Sequence, residues 1–362
     1  MKICEFIIRD RRVHFCQVRA PNTDDHVFSQ FLGGHATVRA CRECNNRFGH
    51  VFEGSVSDNF APFFIALRHC GVRSNRPFVW KKAFSISGID YDINQDLVAT
   101  PSKPMLDRDE AGRIRRVVSG NDKSAGQIVR GMKAQYPGKA IRTTRFRESR
   151  ADSEYTWNFQ IGANLRRLVV KMCAAFLAYF RPRRLLSQRR LPRISANGNI
   201  PDVPVRTAFL KYPALDRIRR GLAHSIFVEA NGNTRRCYGV VQFFGVMQFY
   251  AVLNSSYSGT CSFAAFGDLN PVAQNEEFQE IASLGLTEAP SAISPQEYET
   301  GIHDWQTALT QLLNGRDGTE MAITIEPRLP ALLNNLSISE GSTAISNRTT
   351  WSSDTQDLLT SE

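Results

Sequence analysis

Apolar residues along the chain recur first at alternating and later at helical spacing, and the changes of period divide it. Residues 1–20 alternate apolar and charged positions around two short apolar runs, the pattern of a small hairpin. Residues 21–70 carry turn signals at Pro21-Asn22 and Gly33-Gly34 and end in a helical stretch near residues 60–69. Residues 77–118 read as strands broken by Gly, Asn and Pro. Residues 119–150 are rich in Gly, Lys and Arg without long apolar periodicity, which predicts a partial loop. Leu165, Leu168, Val169, Met172, Phe176 and Phe180 then recur at helical spacing, with Arg166, Arg167 and Lys171 assigned to the opposite face. Residues 181–193 form a basic, Pro-punctuated connector. Residues 238–266, rich in Val, Phe and Tyr with Gly239, Gly245 and Gly259, predict two or three strands. After about residue 336 the chain turns to Ser, Thr and Asn, and predicts disorder. No internal repeat is visible.

These elements give an α+β chain in three parts: a unit over 1–70, a mixed α+β module over 71–335, and a tail over 336–362. With 42% apolar residues the chain can build cores, and its 362 residues exceed one ordinary domain. The net charge of +10 favours a polyanionic partner. It is unevenly placed: residues 123–193 carry 17 Lys/Arg against 3 acids, and residues 267–362 carry 3 against 15. A basic middle and an acidic end suit a nucleic-acid face with a solubilising or autoinhibitory extension. The longest helical apolar stretch, 168–180, is interrupted by Lys171 and is too short to span a bilayer. A cytoplasmic protein is therefore expected, without membrane attachment. Its eight cysteines are then expected as thiols or metal ligands rather than disulfides.

Candidate chemistry concentrates in residues 24–54, DDHVFSQFLGGHATVRACRECNNRFGHVFEG. Cys41 and Cys44, separated by two residues, form a knuckle whose thiolates can share one tetrahedral Zn²⁺. Cys16 is the natural third ligand. The fourth is Cys4, which the suspected hairpin would fold back, or His14, two residues from Cys16 on one side of a strand.

Asp25-His26 precede this knuckle and Asn45-Asn46 follow it directly. Together with the Gly33-Gly34 turn, residues 13–54 resemble the HNH nuclease signature in its CxxCNN-x-x-G form, seen here from Cys41 through Gly49. The resemblance implies a ββα-metal unit, two strands and a helix around one catalytic divalent cation, with a structural zinc beside it. It implies His26 as general base, with Asp25 and Asn45 holding Mg²⁺ or Mn²⁺, and DNA phosphodiester hydrolysis as the reaction. The family's middle Asn has no counterpart in residues 35–39, where His35 or Thr37 could take its place; Val13 stands where an upstream Cys would fall.

Arg42 and Arg47 flank the knuckle, and Arg142, Arg145 and Arg147 lie in the basic middle; all five are candidate phosphate contacts. DNA is the expected partner, with RNA an alternative, and residues 71–335 could carry a regulatory or homo-oligomeric contact. The competing reading is a non-catalytic zinc-knuckle protein that binds nucleic acid. His50 and Glu53 read as solvated and structural, and His69, His224 and His303 as surface or core residues.

The cysteine reading is testable. Cys16, Cys41 and Cys44, with Cys4 or His14, should hold about one Zn²⁺ per chain. Because binding energy at such a site is folding energy, Cys41→Ser should destabilise the N-terminal unit beyond any effect on catalysis. Elemental analysis that finds no zinc in protein purified without chelator would refute it.

Overall fold

The structure is a computed structural model. It describes residues 7–9, 12–14, 23–40, 42–69, 77–138, 157–180, 205–208, 222–254, 257, 262–283, 294–314, 325–327 and 341–345, apart from isolated positions within these ranges. Both helices and sheets are present, as α+β requires.

The N-terminal elements are β1 (Ile7–Arg9), β2 (Arg12–His14), β3 (Thr23–His26), β4 (Thr37–Ala40), α1 (Arg42–Phe48), a π-helical turn Gly49–Glu53 and α2 (Gly54–His69). Their sheet runs β1-β2-β4-β3: β1 and β2 form the expected hairpin, β2 runs parallel to β4, and β3 pairs antiparallel with β4. Next come β5 (Val79–Ile86), β6 (Ile89–Asn94), β7 (Ala99–Pro101), β8 (Met105–Arg108), β9 (Ile114–Val118) and α3 (Asp122–Gln135). α3 occupies part of the stretch 119–150 that was expected to be partly a loop, and residues 139–150 lie outside the described residues. Ala125, Ile128, Val129 and Met132 do recur at helical spacing there, but Gly126 and Gly131 obscured the helix.

β10 (Trp157–Ile161) leads into α4 (Ala163–Phe180), the helix that the apolar spacing predicted. After β11 (Val205–Ala208) come β12 (His224–Asn231), β13 (Arg236–Phe243), β14 (Met247–Asn254), β15 (Phe263–Asn270), β16 (Asn275–Glu280), α5 (Pro295–Asn314), β17 (Ile325–Pro327) and β18 (Gly341–Ile345). The Val/Phe/Tyr-rich region thus supplies three strands. Within the stretch expected to be disordered, β18 pairs antiparallel with β10 and β17; the rest of that stretch lies outside the described residues.

The six-stranded sheet β11-β14-β13-β12-β15-β16 is antiparallel throughout. α4 lies on one of its faces, and two glycines let it come close. A Cβ on Gly239 would fall 2.4 Å from Cys173 Sγ, and one on Gly267 2.6 Å from Phe176 Cε2. One hydrophobic core runs from Val27, Phe28 and Phe60 through Leu168 and Phe176 to Val228, Val241, Phe249 and Trp305. The apolar side chains between Val27 and Leu67 that join this core are therefore buried against α4 and the C-terminal half.

His224 sits in this core among Phe64, Phe243 and Phe244, and its Nδ1 accepts a hydrogen bond from the Phe244 N–H at 3.3 Å. Burial lowers its pKa from 6.5 to about 3. Below pH 6.5 the unfolded chain binds a proton there that the folded chain does not. Its contribution is thus complete above about pH 6.5 and falls by about 1.4 kcal/mol per pH unit below it. Denaturant unfolding at about pH 7.5 and about pH 5.5 should show a loss of ~1.4 kcal/mol from this residue, which His224→Leu should lack. The same pH dependence in both proteins would refute the assignment.

Candidate functional site

β3 carries Asp24, Asp25 and His26, and strand alternation sends consecutive side chains to opposite faces. Asp25 lies across from Val38 and is buried; Asp24 lies across from Arg39, and His26 from Thr37. On the outer face Arg39 and Asp24 form an ion pair at 3.0 Å, both about half exposed, a contact worth well under 1 kcal/mol. Thr37, one of the two residues considered in place of the middle Asn, is thus the cross-strand neighbour of His26. His35 lies in the connecting loop, where its backbone N–H donates to Glu276 Oε1 at 3.0 Å.

The turn between β3 and β4 needs its glycines. Gly33 has φ 99°, and a Cβ on Gly34 would stand 1.9 Å from the Phe28 carbonyl oxygen. Opposite the loop, Glu276 of β16 takes the Ala36 N–H at 2.5 Å as well as that of His35, and Phe278 stacks on Phe28 with centroids 6.1 Å apart.

α1 follows β4 almost directly and returns beside β3. From its second turn Asn45 Nδ2 donates to the Asp24 carbonyl oxygen at 2.9 Å, which fixes the helix against the peptide joining Asp24 to Asp25. The order is strand, turn, strand, helix, with Asn45 brought next to the Asp25-His26 pair. Arg42 and Arg47 are exposed on α1, as is His50 just beyond it.

Asp25 faces inward, and its partner comes from far along the chain. Lys171 Nζ of α4 donates to Asp25 Oδ1 at 2.5 Å and also to Glu53 Oε1. Ser29 Oγ donates to the same Glu53 oxygen at 3.4 Å. Glu53 is the last residue of the π-helical turn. Lys171 is only 1% exposed, which corrects its assignment to the polar face of the helix. Burial pulls the Lys171 pKa down, but the carboxylates of Asp25 and Glu53 outweigh it and hold the pKa above the ordinary lysine value. Burial pushes the Asp25 carboxyl upward, and the neighbouring ammonium opposes that shift. The side chain is an ammonium between two carboxylates. Asp25 Oδ2 is buried and has no hydrogen-bond partner among the described residues.

Cys4, Cys16 and Cys41 lie outside the described residues, as do the side chains of Cys44 on α1 and His14 on β2, and all of Arg142, Arg145 and Arg147. Among the described residues no group of three or more His, Cys, Asp or Glu side chains is placed to hold a metal. The residues that sequence reasoning missed are Lys171, Glu53 and Glu276. Lys171 left a signal: it is the lone charge in an otherwise apolar run of three turns, and a helix apolar all round is buried.

Comparison with family models, with curated proteins and with solved structures finds no match to this chain. No helix among the described residues is long and apolar enough to cross a membrane.

Lys171→Met should leave the buried Asp25 carboxylate unpaired beside the half-buried Glu53 and cost about 3 kcal/mol in denaturant unfolding. Adding Asp25→Asn and Glu53→Gln removes both charges and should recover most of that loss. A triple variant no more stable than the single one would show that Lys171 acts by packing rather than by charge.

Proposed function

We propose that the chain is a metal-dependent endonuclease of the HNH type that hydrolyses DNA phosphodiester bonds. The observation that supports this most is the hydrogen bond from Asn45 to the peptide between Asp24 and Asp25. It joins the helix of a strand–turn–strand–helix unit to the strand that ends in His26.

His26 acts as general base, taking a proton from the attacking water through a neutral imidazole. Its place at the end of β3 leaves it half-buried, fixed by the strand and still open to water. Two oxygens of the unit suit a hard divalent cation: Asp25 Oδ2 lacks a partner among the described residues, and Asn45 uses its amide nitrogen on Asp24, leaving its oxygen for a ligand. A bound Mg²⁺ or Mn²⁺ would supply Lewis-acid stabilisation of the phosphate and of the leaving 3′ oxygen. Arg39, Arg42 and Arg47, all exposed beside the unit, would contact backbone phosphates, as would Arg142, Arg145 and Arg147.

The alternative is a non-catalytic nucleic-acid-binding unit, favoured by the ammonium that already neutralises Asp25. A plasmid-nicking assay separates the two. With Mg²⁺ or Mn²⁺ the protein should nick DNA, and EDTA should stop it. His26→Ala should lower the rate by at least ~10²-fold while leaving DNA binding and folding intact. Cleavage by His26→Ala at near wild-type rate would remove His26 from the mechanism, and no cleavage by the wild type would favour the binding unit.

A further inference from the structure

Asp25 and Glu53 converge on one ammonium, and the space it fills has the size and charge of a cation position. Each carboxylate accepts a hydrogen bond from the same Lys171 Nζ. Two oxygens that both touch one nitrogen lie at most roughly 5 Å apart, twice a short charge-assisted hydrogen bond. Oxygens sharing one divalent cation at about 2.0–2.6 Å span a similar distance. The cluster also has charge to spare, because one ammonium neutralises only one of the two carboxylates. Asp25 Oδ2, on a side chain 4% exposed, has no partner among the described residues. Finally, the charge arrives on a flexible four-carbon stem, so the ammonium can withdraw without shifting the backbone of α4.

We infer that Glu53 is a ligand of the divalent cation together with Asp25, and that Lys171 is its internal competitor. The ammonium holds the two carboxylates in position and yields them when a divalent cation enters. The inference rests on the nuclease reading for the presence of a cation, and it adds a ligand and a counterion to that site.

Two consequences follow from charge alone. The competitor weakens the site for cations, since a divalent ion must displace an ammonium or sit beside it. A divalent ion seated beside the ammonium makes the cluster net positive, two carboxylates facing three positive charges. A phosphodiester then relieves that charge, so cation and substrate bind cooperatively, each raising the affinity for the other by the same factor.

The test reads Mn²⁺ binding to the full chain by electron paramagnetic resonance. Wild type is compared with Lys171→Met and with Lys171→Met carrying Glu53→Gln. Lys171→Met should bind Mn²⁺ at least ~10-fold more tightly than wild type, and the added Glu53→Gln should abolish that gain. Binding in Lys171→Met that is unchanged or weaker would overturn the inference, and so would a gain that survives Glu53→Gln. If Lys171→Met is unfolded in EDTA, Mn²⁺ should restore its circular dichroism signal, and failure to do so would also overturn it. The readout is binding, so failure here leaves the His26→Ala nicking comparison standing. An outcome against His26 would likewise leave this one standing.

Discussion

An ammonium group can leave water only where other charges replace its hydration, and α4 takes Lys171 into the interior on that condition. Asp25 comes from β3, Glu53 from the π-helical turn and Lys171 from α4, so the ion cluster exists only when all three elements are assembled. α4 is itself seated on the six-stranded sheet through the close approaches at Gly239 and Gly267. The strand that carries His26 is thereby tied, through Lys171, to a sheet whose first strand begins at Val205. Losing Lys171 or Asp25 unbalances charge in a low-dielectric interior, a larger penalty than losing an exposed pair such as Arg39–Asp24.

A second tie acts on the loop rather than on the strand. Glu276 and Phe278 are two residues apart on β16 and so project from the same face. Glu276 takes the N–H groups of His35 and Ala36, while Phe278 stacks on Phe28 and meets the rings of Phe176 and Tyr179 at 5.4 and 4.8 Å. Two consecutive backbone N–H groups converging on one carboxylate are an anion-holding arrangement. Here the anion is part of the chain. The loop between β3 and β4 is consequently held by glycines that set its path and, next to them, by an acidic side chain about 240 residues away.

What the sequence revealed follows from which forces are local. The β1–β2 hairpin, the Gly33-Gly34 turn, α4 and the strands of 238–266 rest on short-range periodicity and on glycine conformations, and all were legible. α3 was not: Ala125, Ile128, Val129 and Met132 recur at helical spacing, but the short stripe is interrupted by Gly126 and Gly131, which point away from a helix. Within the candidate site, Asp25, His26 and Asn45 stood out by type and spacing, and Asn45 does reach β3. Lys171 and Glu276 did not, because their partners lie 146 and about 240 positions away and no local pattern encodes a contact at such range. Glu53 was visible but read as structural, since nothing in the sequence marks the π-helical turn that ends on it.

Alternation along β3 divides the run Asp24-Asp25-His26 between two electrostatic regimes. Asp24 faces water, where Arg39 is a weak and screened partner; Asp25 faces a dry interior, where an ammonium is indispensable. His26, the last residue of the strand, stands where the two regimes meet. A general base needs a ring held still and a path to solvent, and neither face alone provides both. At the end of a strand locked from behind by Asp25–Lys171 and from the side by Asn45, the imidazole can have both. In the proposed reaction the buried ion cluster therefore serves His26 through the backbone: it fixes the peptide from which the base projects, without touching the base itself.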